Sequence, residues 1–131
     1  MRIILADHND EPRWALTMLL DEQPEFDFVG EAVDAQGLLV LAEKHTADLV
    51  LLDSKLPGIS IVDLIARLHV LEPRPIVVVM SCNFETSRVL LKAGADAFVS
   101  KGDEPDWLLE KLHQYARKFK IKEDANQNII P

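Results

Sequence analysis

The chain has 131 residues, of which 48% are hydrophobic, and its formal net charge is −8 at pH 7. This length fits one domain, which should bury about two-thirds of the surface that the unfolded chain exposes. The negative charge argues against general affinity for nucleic acids or anionic membranes, because both partners require a basic surface.

Strand-like apolar runs and helix-like segments alternate along the chain. The predicted strands cover residues 2–7, 26–32, 48–53, 76–81 and 97–100. The predicted helices cover about residues 10–22, a segment after Asp34 to about residue 44, a segment after Ser60 to about residue 71, and about residues 85–93. A last helix runs from Asp103 or Glu104 to about residue 119. Such alternation predicts an α/β fold with right-handed crossovers. We expect a doubly wound, flavodoxin-like parallel sheet of five strands in the order 2-1-3-4-5, flanked by five helices.

Individual residues mark several helix ends. Asp34 and Ser60 are predicted N-caps, Gly94 is a typical glycine after a helix, and Pro105 fits the first turn of the last helix. The domain is expected to span residues 1–121. Residues 122–131 are predicted to form a polar tail or truncated linker, and the basic run at 117–122 to complement the dipole of the last helix.

The sequence also predicts where several large apolar and histidine side chains lie. Trp14, Met18 and Leu19 are expected on the apolar face of the first helix, and Trp107 is expected in the core of the last one. Three histidines are expected to be solvated: His45, His69 and His113.

The chain has one cysteine, Cys82, which excludes an internal disulfide and a cysteine-based zinc set. Beside a buried strand it should behave as a small hydrophobic group. There is no signal-like segment at the N-terminus, and no apolar run reaches the roughly 20 residues that span a bilayer. We therefore expect a soluble, cytoplasmic protein.

Four polar residues follow four of the apolar runs at equivalent places. They are Asp7, Asp53, Ser81 and Lys101. If the runs are parallel strands, these side chains converge at one edge of the sheet, where open α/β sheets place their sites. An aspartate at a strand end can simply cap a helix or a turn. Asp53, however, ends the most apolar run, where an isolated charge is costly.

The chemistry of this group fits phosphate and a cation. Asp7 and Asp53 offer the hard oxygen ligands that Mg²⁺ prefers. A carboxylate beside such an ion can attack a phosphoryl group and become an acyl phosphate. Ser81 and Lys101 would then bind the phosphoryl oxygens.

These residues and their surroundings resemble the receiver domain of two-component response regulators, closest to receivers of helix-turn-helix transcription regulators. The resemblance extends from Met1 to about Phe119. The matching motifs are ILAD at 4–7, DLVLLD at 48–53, LPG at 56–58, VMS at 79–81 and GADAFVSK at 94–101. Each motif is weak alone, but all of them in order form a specific pattern.

The resemblance implies a phosphoprotein of phosphorelay signal transduction rather than an enzyme. Asp53 would accept the phosphoryl group, and Asp7, Asp53 and the backbone carbonyl of Lys55 would hold Mg²⁺. Ser81 would be the switch hydroxyl that moves toward the phosphoryl group, and Lys101 would pair with that group. An aromatic residue would report the state through its rotamer, and it corresponds to Phe98.

One departure from the family pattern concerns the metal. The second member of the family's acidic pair is His8 here, and imidazole is a poor ligand for Mg²⁺. His8 is therefore a doubtful ligand, and Mg²⁺ should bind weakly. Asp10 and Glu11 could substitute, but they fit the start of a helix better.

The sequence is compatible with two functions of such a domain. The domain is either phosphorylated by a histidine kinase, or it is a degenerate receiver that signals through protein contacts without efficient phosphorylation. A flavin carrier of the same strand order fits badly, because the acidic loop at 7–11 would repel a phosphate.

The resemblance also implies partners. These are a histidine kinase or phosphotransfer protein, and a second copy of the chain through the face of the last strand and last helix, for which Trp107 is a candidate. DNA would be bound only through an output domain that this chain lacks, and no membrane is expected.

Overall fold

The computed structural model describes residues 1–101 and 104–128. The strands are β1 (Arg2–Ala6), β2 (Asp27–Ala32), β3 (Leu49–Asp53), β4 (Ile76–Ser81) and β5 (Ala97–Ser100). The helices are α1 (Asp10–Asp21), α2 (Ala35–His45), α3 (Ile61–His69), α4 (Ser87–Lys92) and α5 (Pro105–Asn128), with a 3₁₀ turn at Phe84–Thr86 before α4.

The five strands form one sheet in the order β2-β1-β3-β4-β5. Every neighbouring pair is parallel, so the predicted fold class and strand order are confirmed. The register aligns the carboxyl ends of the strands, because Ala6 pairs with Leu52 and Asp53 pairs with Met80. The residues that follow these strands therefore meet at one edge of the sheet.

Helices cover both faces of the sheet, which explains why the central strands are continuously apolar. One face packs against α2, α3 and α4, and its core includes Ile4, Val50, Leu52, Val77, Val79, Leu38, Leu64, Leu68 and Leu90. The other face packs against α1 and α5, and its core includes Ile3, Leu5, Leu49, Leu51, Val78, Met80, Leu20, Leu108 and Leu112. All five residues of β3 are buried.

The predicted helix signals hold where the structure describes them. An Asp34 carboxylate oxygen accepts a 2.7 Å hydrogen bond from the Gly37 N–H. The Ser60 hydroxyl accepts one of 3.2 Å from the Asp63 N–H. Gly94 adopts a φ of +112° just after α4, a conformation that glycine tolerates best. Asp103 lies outside the described residues.

The predicted apolar face of α1 is wrong. The side chains of Trp14 and Met18 are exposed. The helix packs instead through Leu16 and Leu20, which lie four residues apart on the neighbouring face. Arg13 is buried beside them, because its guanidinium finds polar partners that are described with the site below.

Helix α5 is longer than predicted, since it continues to Asn128 rather than ending near residue 119. Residues 120–128 contain no glycine or proline that would stop a helix. The basic run at 117–122 therefore lies inside α5, and the last turn has no basic residue. The proposed dipole role of that run is wrong, whereas the domain boundary at residue 121 stays a prediction.

Other side chains also differ from expectation. Cys82 and Trp107 are exposed. His113 is stacked on Phe26, with ring centroids 4.9 Å apart. His69 Nε2 is buried, and no described group forms a hydrogen bond with it.

Among the described residues, no helix combines the length and apolar character needed to cross a bilayer.

Candidate functional site

The four polar residues predicted to converge do lie at the same edge of the sheet. Lys101 Nζ is 2.8 Å from Asp7 Oδ2 and 3.3 Å from Asp53 Oδ2. Asp7, Asp53 and Ser81 are 0%, 3% and 2% exposed, respectively. The site thus combines two buried carboxylates with a shared ammonium group, and a buried hydroxyl at the end of the next strand.

The ammonium group of Lys101 offsets the cost of burying two carboxyl groups. Removing charges from water is costly unless an opposite charge and hydrogen bonds compensate. Burial alone lowers the pKa of Lys101. Its hydrogen bond with Asp7 and the charges of Asp53 and Asp7 outweigh that effect, so the pKa lies above its usual 10.5. Lys101 is therefore a cation at neutral pH.

The loop after β1 is fixed by hydrogen bonds around Asp7. The Asp7 N–H donates to Ala32 O at 3.0 Å, and Asp7 Oδ1 accepts from the Asn9 N–H at 3.0 Å. The guanidinium of Arg13 donates to the backbone carbonyl of Asp7 at 3.0 Å and to Asp10 Oδ1 at 2.8 Å. Arg13 thereby ties α1 to the loop that carries the site.

Arg13 is a residue that the sequence analysis missed. It is only 6% exposed, yet it lies between exposed positions of an amphipathic helix and so looks like an ordinary surface charge. The available signal was its spacing from Asp10, since residues three apart on a helix are neighbours.

Asp53 sits at the start of a tight turn. Its Oδ1 accepts a 3.3 Å hydrogen bond from the Lys55 N–H, and its backbone carbonyl accepts one of 3.1 Å from Leu56. His8 Nδ1 lies 3.6 Å from Asp53 Oδ2, with the imidazole side chain 41% exposed. His8 therefore contacts the buried Asp53 carboxylate while its ring remains accessible to solvent.

Ser81 and Phe98 lie on the β4 and β5 side of the site. Ser81 Oγ accepts a 3.0 Å hydrogen bond from the Asn83 N–H, and Ser81 O accepts one of 2.9 Å from the Lys101 N–H. The second bond links the ends of the two strands. Phe98 is half-buried and packs against the core on the α2–α4 face.

The donor set for a metal consists of Asp7, His8 and Asp53. One ligand atom from each lies within 4.8 Å of the other two, so a divalent cation can be shared by all three. The two carboxylates suit Mg²⁺, but the imidazole does not. Asp10 does not fill that role here, because its carboxylate is bound to Arg13.

The family model for the response regulator receiver domain matches residues 3–113 of this chain. The chain belongs to this family. All the site residues lie inside the matched span, and the chain is a receiver domain of two-component response regulators.

Known response regulators are similar in sequence to this chain. The nitrate/nitrite response regulator protein NarL of Escherichia coli K12 is 34% identical over 125 residues, which cover 94% of this chain and 58% of NarL. This chain thus spans a little over half the length of that relative. The NarP protein of the same organism is 28% identical over 129 residues, covering 96% of this chain and 60% of NarP.

Solved structures agree on the fold. The receiver domain of a putative response regulator NarL from Mycobacterium tuberculosis has a TM-score of 0.80 at 24% identity, covering 88% of this chain and 95% of that one. A LuxR-family regulator from Aurantimonas sp. also has a TM-score of 0.80, at 23% identity, covering 89% and 85%.

Proposed function

We propose that Asp53 accepts a phosphoryl group from a phosphohistidine of a histidine kinase or phosphotransfer protein. An Asp53 carboxylate oxygen attacks the phosphorus, the P–N bond breaks, and its electron pair leaves with the imidazole of the donor. An acyl phosphate forms on Asp53. The observation that carries this proposal is the burial of the Asp53 carboxylate at the end of β3, beside the ammonium of Lys101.

The neighbouring residues have matching roles. Lys101, already 3.3 Å from Asp53 Oδ2, neutralises charge that develops on the phosphoryl oxygens. The Ser81 hydroxyl can donate its proton to one of those oxygens while its own oxygen accepts from Asn83. A phosphoryl group adds negative charge and strong acceptors, so Ser81 is drawn inward and Phe98 repacks behind it.

A divalent cation would be held by Asp7, Asp53 and the backbone carbonyl of Lys55. When bound, it supplies positive charge to the phosphoryl oxygens during transfer. We infer that Mg²⁺ in this role binds weakly, because His8 occupies the place of a carboxylate.

The same chemistry bears on the role and partners of the domain. We infer that it is a switch rather than an enzyme, and that DNA is reached only through an output domain. A second copy of the chain is a candidate partner through β5 and α5, where Trp107 is 71% exposed.

The degenerate interpretation has no support beyond His8, whereas the chain has an aspartate, a hydroxyl and a lysine at the positions that phosphorylation needs.

The test is incubation with acetyl phosphate, with and without Mg²⁺, followed by intact mass measurement. The wild-type chain should gain the mass of one phosphoryl group, and Asp53→Asn should gain none because its amide cannot form an acyl phosphate. Asp48→Asn is the matched control, since Asp48 directly precedes β3 at the end opposite Asp53, and it should be phosphorylated like the wild type. A full mass gain in Asp53→Asn would assign the acceptor to another residue.

A further inference from the structure

At the candidate metal site, the imidazole of His8 places a nitrogen atom near the carboxylate of Asp53. His8 Nδ1 lies 3.6 Å from Asp53 Oδ2. Its side chain is partly exposed, so protein atoms do not enclose the imidazole on all sides. The three candidate ligand atoms are already within 4.8 Å of one another.

Among the described residues, no carboxylate other than those of Asp7 and Asp53 belongs to this group of possible ligands. Asp10 Oδ1 accepts from Arg13 at 2.8 Å. Glu31 Oε2 accepts from the Thr17 hydroxyl at 3.0 Å and lies 3.6 Å from Arg13 Nε. Arg13 also donates to the carbonyl of Asp7, so Asp10 and Glu31 are both engaged by residues of α1.

The net charge of the pocket disfavours a cation that depends on negatively charged oxygen ligands alone. Asp7 and Asp53 contribute two negative charges, and Lys101 contacts both of them and contributes one positive charge. The formal charge is therefore −1 with a neutral His8, and it would be −2 with an aspartate at that position. Affinity for hard cations such as Mg²⁺ depends strongly on ligand charge. Transition cations such as Co²⁺ and Zn²⁺, in contrast, bind imidazole nitrogen well.

We propose that the pocket selects a divalent transition cation of the Co²⁺ and Zn²⁺ class over Mg²⁺, and that His8 is the ligand that sets this preference. The inference deepens the proposed phosphoacceptor function, since it concerns the same site. Binding of the metal alone tests it without any phosphoryl donor.

The experiment titrates the full chain, free of any affinity tag, with Co²⁺ and follows the visible d–d absorption, which reports nitrogen ligation and coordination number. All proteins carry Cys82→Ser, because the exposed thiol of Cys82 could bind the same ion. Mg²⁺ affinity is measured by its competition with Co²⁺. The variants are His8→Asp and His8→Asn, and the matched control is His45→Asn, which alters a histidine at the far end of α2.

The wild type should bind Co²⁺ at least about tenfold more tightly than His8→Asn does, because even groups that only orient a ligand are worth about 10- to 100-fold in metal affinity. His8→Asp should lose the nitrogen-ligation signature and bind Mg²⁺ about tenfold more tightly or better, as its added charge requires. His45→Asn should match the wild type.

Equal Co²⁺ affinity in the wild type and His8→Asn would overturn the proposal, as would a wild-type preference for Mg²⁺ or loss of binding in His45→Asn. The two proposals fail separately. Co²⁺ bound through His8 in a chain that acetyl phosphate does not modify would contradict only the phosphoacceptor function. Phosphorylation with tight Mg²⁺ binding and no effect of His8 would contradict only the metal preference.

Discussion

At the scale of single residues, the site depends on charges that are buried together. Asp7, Asp53 and Lys101 form one ion-pair group in which a single ammonium serves two carboxylates. The sequence predicted this convergence, because each residue directly follows an apolar strand. Spacing alone allows the pairing of Arg13 with Asp10, but the bond of Arg13 with the Asp7 carbonyl depends on where the helix packs.

Lys101→Met should therefore destabilise the fold at pH 7. Removal of one partner from a buried ion pair costs about 3–5 kcal/mol, and we expect a loss up to this size in the free energy of unfolding, measured with urea. Lys55→Met is the matched control, since Lys55 is an exposed lysine beside the site. It should change stability by no more than about 0.5 kcal/mol.

The pH dependence of this effect has a definite sign. The pKa of Lys101 is raised above 10.5 in the folded chain, so its stabilising contribution is fully present below pH 10.5. It is lost as the pH rises through the raised value. The difference between wild type and Lys101→Met should shrink in that alkaline range. A difference that stays constant there would show that Lys101 acts through packing rather than charge.

At the scale of elements, short-range signals predicted the helix starts better than the helix faces and ends. Asp34 and Ser60 each accept a hydrogen bond from a backbone N–H three residues further along the chain. Such a short-range contact can be predicted from the local sequence. The face of α1 depends on the tertiary partners of Leu16, Leu20 and Arg13. The end of α5 differs from the prediction because polar residues predicted a tail, although none of residues 120–128 is a glycine or proline that would stop a helix.

The junction between α4 and β5 offers a test at this scale. Gly94 has a φ of +112°, and a Cβ added there would collide with the His69 ring. Gly94→Ala should lower the free energy of unfolding by about 1–3 kcal/mol from backbone strain alone, and by more because of the collision. Thermal or urea unfolding measures the loss.

The double variant Gly94→Ala/His69→Ala separates the two causes. It removes the collision and keeps the backbone strain, so it should be less destabilised than the sum of the single changes. Additive losses would mean that the His69 ring moves away without cost.

At the scale of the whole molecule, the fold follows from strand–helix alternation, and the sheet places the site. Parallel strands in the order β2-β1-β3-β4-β5 bring residues from four distant segments to one edge. The sequence predicted the strand order and this convergence. Each strand end is marked by the local sequence, and parallel strands bring their carboxyl ends to the same edge of a sheet. The proposed metal preference also depends on the contacts of His8 with Asp53 and of Arg13 with Asp10, and these come from the three-dimensional structure.

The central claim is that Asp53 carries the acyl phosphate, and chemical trapping tests it most directly. Borohydride reduces an aspartyl phosphate to homoserine, and peptide mass mapping then locates the altered position. After treatment with acetyl phosphate, homoserine should be found at position 53 and should be absent without the phosphoryl donor. Homoserine at position 7 instead, or a phosphorylated chain with residue 53 unchanged, would contradict this account.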